Sequence, residues 1–433
     1  SLGYPLTDAS TLVSLGGNPN GVYQFSYQGK GTFTFGGAAQ LQGPVVLGAD
    51  GVYRGSVLVD QSLSPNLIMY VTGVSSSDPL HDMHLILPGY QADTSQVYTD
   101  TFLAKLQPFD TIRFMNWSET NGSTEKNWSD RMPQNAWNTR DMEVSWEDIV
   151  ALGNEAHKDI WIDIPALATD DYVRQLAQLV HNELDPSLNV HIEYSNETWN
   201  NSFNQYNQVL AAAKANPLID RTDDLGMVAE QSAYRSMQIT QIFDQVFGAD
   251  QGRVQTELAG WAVKSGFLSA GLDFINTHFG NPGQYFSAIA IAPYLGNDPA
   301  LNKSGLTLNS LFASLNQTLE GSYVTWLQSH KQLADKYGLR LDAYEGGQSL
   351  TAPSNFNFPL KESAQNDPRM GQLYTRLLTL WDQYAGGDFV LYTFDGLDNQ
   401  YGYWGLIQRA GDPGSVKWDA VMKYILPLGD SSL

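Results

Sequence analysis

Ile160-Trp161-Ile162-Asp163-Ile164, then Asp170-Asp171-Tyr172-Val173 running on to Leu176, Leu179 and Val180, then Val190-His191-Ile192-Glu193-Tyr194: this stretch decides the fold. Two apolar runs of strand length flank a segment whose apolar residues recur at helical spacing. The paired aspartates open that segment as helix N-terminal signals do. Strand, helix and strand at this spacing make a parallel crossover unit.

The alternation continues outward. His84 to Pro88, Thr111 to Met115, Val254 to Leu258, Ala288 to Ala292, Leu339 to Tyr344 and Phe389 to Thr393 are further candidate strands. Helical patterns cover Met227 to Phe247, Tyr323 to Tyr337 and Gln372 to Tyr384. Eight strands alternating with helices over residues 84–430 predict an α/β fold, a (β/α)₈ TIM barrel. His84 to Pro88 also fits a second place, closing the domain that precedes it. The first barrel strand would then lie ahead of Ser1 or be supplied otherwise.

Residues 1–80 read differently. Val22 to Tyr27, Thr32 to Phe35, Val45 to Leu47, Val52 to Val59 and Leu67 to Val71 are short runs between Gly, Asn and Asp clusters. Tyr23, Phe25 and Tyr27 share one parity, as do Phe33 and Phe35, which is the period of a half-buried strand. A small all-β, sandwich-like accessory domain is expected. No Pro/Ser/Gly-rich tether separates residues 72 to 84, so it is expected to pack on the barrel as structural support.

Composition narrows the function. Lys and Arg number 24 against 46 Asp and Glu, a net charge of −22, which argues against nucleic acid or an anionic bilayer as partner. No apolar run reaches the ~18 residues of a membrane span. The absence of cysteine removes disulfides, thiol nucleophiles and Cys-ligated metals. Eleven Trp and 22 Tyr fit a secreted protein handling ring-shaped polar ligands. Any export signal is expected to have been removed already.

Active sites of barrels lie at the C-terminal ends of the strands. Two of those ends carry a Glu. One is Tyr194-Ser195-Asn196-Glu197-Thr198-Trp199-Asn200. The other is Leu339-Arg340-Leu341-Asp342-Ala343-Tyr344-Glu345-Gly346-Gly347, where Leu339, Leu341, Ala343 and Glu345 share one parity. Paired carboxylates across a barrel mouth are what glycosidic bond cleavage needs, one protonated and one ionised. Surface carboxylates or structural ion pairs are the competing reading.

The wording around them resembles the clan A, or four/seven, superfamily of retaining glycoside hydrolases. In addition, Leu-Pro-Gly-Tyr, Arg-Phe-Met-Asn-Trp, His-Ile-Glu-Tyr-Ser-Asn-Glu-Thr-Trp-Asn and Ala-Ile-Ala-Pro-Tyr look like secreted bacterial proteins loosely labelled cellulose-binding. The resemblance implies Glu197 as acid/base, Glu345 as nucleophile and Asn196 on the sugar 2-hydroxyl. It implies that Tyr294 bonds the nucleophile and that Arg113 is a buried arginine beneath the carboxylates. Tyr294 also reads as a packed rim aromatic, and Arg113 as a partner for a buried acid such as Glu193. Asn116 and Trp117 follow Arg113 at the second strand end and join the substrate-binding set. The tryptophan usual at the eighth strand end is replaced by Phe394, with Trp404 nearby.

Aromatic faces suit the C–H faces of pyranose rings. Trp117, Trp128, Trp137, Trp199, Trp261 and Trp404 all fall at or after strand ends, and two or three of them are expected to touch sugar. The histidines show no zinc spacing, and no nucleophile elbow, Walker loop or dinucleotide fingerprint occurs. Asp159, Asp163, Asp395 and Asp398 fall short of a calcium loop. No cofactor or metal is expected. A monomeric, endo-acting retaining hydrolase of a β-linked polysaccharide leads. A non-catalytic carbohydrate-binding barrel and a lyase or inverting enzyme stand as alternatives.

Overall fold

The computed structural model describes residues 5–15, 18–92, 94–134, 136 and 143–426. The chain divides into two compact units. One runs through Phe102 and takes in Arg409–Gly411; the other holds most of the chain from Leu103 onward.

The first unit is antiparallel throughout. Its strands are β1 (Ala9–Ser14), β2 (Gly21–Gln28), β3 (Thr32–Gly37), β4 (Ala39–Leu41), β5 (Val46–Leu47), β6 (Tyr53–Val59), β7 (Asn66–Thr72) and β8 (His81–Ile86). They form one sheet of order β1-β7-β3 and another of order β4-β6-β2-β8, with β5 on β6. Tyr23, Phe25 and Tyr27 of β2, Phe33 of β3, Val57 and Val59 of β6, and Leu67, Met69 and Val71 of β7 share one core. Alternation delivers them, since each strand turns every second side chain inward. β1 carries no such parity and is nearly all exposed, which is why the sequence does not announce it.

His84 to Pro88 is corrected here. His84, Leu85 and Ile86 belong to β8 and pair antiparallel with Ser26, Phe25 and Gln24 of β2. Met83, Leu85 and Leu87 pack against the core of this unit. The run thus has one apolar side, which suits a half-covered antiparallel strand, whereas a parallel strand is buried on both faces.

The second unit is α/β. β9 (Thr111–Arg113), β10 (Asp159–Ile164), β11 (Val190–Tyr194), β12 (Val254–Gly260), β13 (Ala288–Ile291) and β14 (Arg340–Ala343) form one parallel sheet in sequence order. A single parallel bridge from Ala343 to Phe389 stands where another strand was expected. Six hydrogen-bonded strands therefore replace the eight expected, among the described residues. Helices connect the strands, including Asp170–Glu183, Asp224–Phe247, Val324–Tyr337 and Pro368–Tyr384. Thr169, rather than Asp170, caps the first of these through the Tyr172 amide; the two aspartates occupy its first turn, where they complement the helix dipole.

The sheet is strongly curled. Six strands laid flat put β9 and β14 roughly 24 Å apart. Yet Arg113 at the end of β9 bonds Glu345, two residues past β14, at 2.8 Å. Only a sheet rolled toward itself brings those edges within reach of one side chain.

Candidate active site

Arg113 organises the site. Its side chain is 3% exposed and reaches four partners: Asp163 on β10, Glu193 on β11, Asn196 after β11 and Glu345 after β14. The guanidinium also lies over the Tyr344 ring at 5.1 Å. Placed so, it is a buried support for carboxylates and offers no open face to a sugar.

Glu345 is held at both oxygens. Arg113 Nη1 donates to Oε1 at 2.8 Å and the Tyr294 hydroxyl donates to Oε2 at 2.9 Å. Tyr294 is half-buried, and desolvation of its hydroxyl, then the Glu345 charge, pushes its phenol well above the ordinary range. It therefore stays a donor.

Glu197 sits in different surroundings. Ser195 and Glu197 both have left-handed backbone, φ 59° and 44°, a conformation that non-glycine residues hold only when the surroundings enforce it. This tight turn throws Glu197 away from the strand direction of β11. Asn200 Nδ2 donates to Glu197 Oε2 at 2.8 Å. Burial, and next the charge of Glu345, push the Glu197 carboxyl up to about 7. One carboxylate thus carries two donors, and the other is driven toward its neutral form. The second is the state from which an acid can deliver a proton to a leaving group.

Asn196 is fixed from both sides. Its Oδ1 accepts from Arg113, and its Nδ2 donates to Asn121 Oδ1 at 3.0 Å. Gln205, fully buried, donates to Asn121 Oδ1 and to the Asn196 carbonyl. Neither Asn121 nor Gln205 stood out in the sequence, since isolated amides carry no pattern.

The aromatic candidates separate. Trp199 stacks on Trp261 with ring centroids 4.9 Å apart, and its Nε1 donates to the Tyr344 hydroxyl. The Lys264 ammonium also lies 4.7 Å from the Trp261 ring centroid. Trp117 packs edge-on against Phe114. Trp128 is a packing anchor between Tyr172 and Arg131. Trp137 lies outside the described residues. Trp404 meets Tyr392 at 5.6 Å, and Tyr392 meets Tyr294 at 6.4 Å. Asn116 Nδ2 donates to the Tyr392 hydroxyl at 3.0 Å. Tyr392, which sequence reasoning missed, is therefore the aromatic nearest this constellation from the last segment; Phe394 instead packs against Trp418.

Among the described residues no cluster of His, Asp and Glu is arranged to hold a metal ion. A separate cavity of about 350 Å³, lined by Arg221, Asp223, Lys264 and Phe267 among others, contains neither Glu197 nor Glu345 nor the residues bonded to them. Among the described residues no helix is long and apolar enough to cross a membrane.

The chain matches no family model and no curated protein. Solved structures with a loose likeness are glycoside hydrolases. A 4-O-alpha-L-rhamnosyl-beta-D-glucuronidase from Fusarium oxysporum is 13% identical over 76% of this chain, with a TM-score of 0.45. The chain spans 64% of that enzyme's length. A family 51 alpha-L-arabinofuranosidase from Bifidobacterium longum is 10% identical, covering 78% of this chain and 68% of its own, at TM-score 0.47. A family 5 xyloglucanase from Paenibacillus pabuli is 12% identical, covering 78% and 94%, at TM-score 0.44. At these scores the reading of the site rests on its own geometry.

Proposed function

We propose that this protein is a retaining glycoside hydrolase of a β-linked polysaccharide, with Glu345 as nucleophile and Glu197 as acid/base. One observation carries the reading. Two carboxyl groups in electrostatic contact stand in unlike surroundings, Glu345 held by two hydrogen-bond donors and Glu197 pushed up to about 7 by burial and the Glu345 charge. In the proposed reaction Glu197 protonates the leaving oxygen while Glu345 attacks the anomeric carbon. Water then opens the glycosyl ester, and Glu197, now ionised, takes its proton. Asn196 would bond the sugar 2-hydroxyl, and Trp199, Tyr392 and Trp404 would face the chain of sugars. The carboxyl groups are expected about 5–5.5 Å apart, as retention requires.

The scaffold we propose is a (β/α)₈-type barrel with Phe389 to Thr393 in the place of its eighth strand and its first strand not supplied by His84 to Pro88, and with the antiparallel unit as an accessory domain. The protein would act as a secreted monomer.

The test is direct. Reducing ends released from a panel of β-linked polysaccharides should identify a substrate, and unsaturated products would instead reveal a lyase. Glu345→Gly should lower turnover by about three orders of magnitude or more. Azide should then rescue cleavage of an activated aryl β-glycoside and yield the glycosyl azide of inverted configuration. Full activity in that variant would remove Glu345 from the reaction.

A further inference from the structure

Beneath Glu345 the interior holds more acid than one arginine neutralises. Asp163 and Glu193 are register partners on β10 and β11, so their side chains leave one face of the sheet about 4.8 Å apart. Both side chains are fully buried. Arg113 Nη2 bonds Asp163 Oδ1 at 2.6 Å and Glu193 Oε2 at 2.9 Å. The two remaining oxygens, Asp163 Oδ2 and Glu193 Oε1, are buried without a hydrogen-bond partner. Two adjacent carboxylates, each with an orphaned buried oxygen, are costly. One proton between them removes a charge and satisfies both atoms.

The donor set decides which group carries it. Glu193 Oε2 accepts from Arg113 Nε, Arg113 Nη2 and Trp161 Nε1 at 3.1, 2.9 and 2.9 Å. Asp163 has Arg113 Nη2 alone. Three donors favour the ionised form where one does so weakly.

We infer that Asp163 is a neutral carboxylic acid that donates its proton to ionised Glu193, and that it thereby acts as a positioning residue for Glu345. The groups facing the pair are Arg113 from β9, Trp161 on β10, Asn196 after β11, and Glu345 after β14, with the Glu197 charge farther off. Glu257, the register partner of Glu193 on β12, is engaged by His191 and Arg340. Burial raises the Asp163 carboxyl far above its ordinary range against the pull of Arg113, and the Glu193 charge and hydrogen bond add to it. Glu193 is raised by burial too, but its bonds to Arg113, Asp163 and Trp161 favour its ionised form. With Asp163 neutral, Arg113 faces two carboxylates rather than three, and more of its field reaches Glu345.

The kinetic part rests on the proposed role of Glu345; the protonation part does not. The test is infrared spectroscopy of the full chain with ¹³C at the aspartate side-chain carboxyls. At about pH 9, above the values near 7 to which Glu197 and Asp342 are pushed, a protonated carboxyl band should remain. It should shift with the label and vanish in Asp163→Asn. In Glu193→Gln the proton should leave Asp163, because Arg113 then lacks its main anion, and the band should vanish although Asp163 is still there. No band in the wild type, or a band surviving either substitution, overturns the inference. Asp163→Asn should lower kcat/KM severalfold while leaving the pH profile unshifted, since an amide donates to Glu193 as the neutral acid does but alters the support that Glu345 takes through Arg113. A loss above tenfold or a moved acid limb would mean that an ionised Asp163 is needed. A wild type that shows the band but cleaves no glycan refutes the proposed function and leaves the shared proton standing.

Discussion

Glu197 and Glu345 are the same residue type set to opposite tasks by their neighbours. With burial and the Glu345 charge pushing Glu197 to about 7, the group delivers a proton only below that value. The kcat/KM profile should therefore fall on its alkaline side with an apparent midpoint near 7, measured on an aryl glycoside with a poor leaving group. A midpoint that does not move in Glu197→Gln would assign that limb to another group. Tyr294 holds the other carboxylate. Its hydroxyl donates to Glu345 Oε2, so Tyr294→Phe should lower kcat/KM by about tenfold or more. Unchanged kcat/KM in that variant would make Tyr294 a packing residue.

At the scale of elements, the end of β14 has to stop where the carboxylate of Glu345 faces Arg113, and the two following glycines make that possible. A Cβ on Gly346 would overlap the Phe389 ring, while Gly347 has φ 126° and lies close to the Tyr374 hydroxyl. Gly346→Ala should therefore push the chain off Phe389 and cost about 1–3 kcal/mol of stability, measurable by thermal melting, with a larger proportional loss of activity than of Tm. Unchanged activity would mean that the Glu345 position does not depend on this close packing. The Gly-Gly pair was legible in sequence as space above a rim carboxylate. What fills the neighbouring volume was not, because Phe389 is 43 positions away (389 − 346 = 43) and meets Gly346 only through the sheet. The helices were read well because their apolar spacing is local. Register and strand number were not, as the antiparallel pairing of β8 and the missing first parallel strand illustrate.

For the whole molecule, buried acids dominate the response to pH. Asp163, Glu193, Glu197 and Asp342 are all raised by burial first. A raised acid keeps its proton in the fold when the unfolded chain has lost it. The unfolded state then binds fewer protons, and stability falls as pH rises from about 4.5 through the folded values. Among the lowered acids, Asp50, Asp60, Asp185 and Asp367 are surface groups held down by local hydrogen bonds, and their contribution is lost only as pH falls below about 4. The net charge of −22 acts in the same direction as the buried acids, since protonation relieves self-repulsion. Tm should thus be several degrees higher near pH 5 than near pH 8, by scanning calorimetry at constant ionic strength. A higher Tm at pH 8 would mean that the buried acids ionise without cost.

By itself the sequence determined the local features: strand and helix identity from apolar period, the antiparallel character of the first unit, and the presence of Asn196-Glu197 and Glu345 at strand ends. These depend on neighbours a few positions apart. The resemblance already implied the Tyr294–Glu345 bond and a buried Arg113; only the tertiary structure decided that Arg113 ties Asp163 and Asn196 to Glu345, and that Trp261 stacks on Trp199. It also set Glu197 apart from Glu345, because burial and the distance between charges are properties of the rolled sheet that brings residues far apart in the chain into one site.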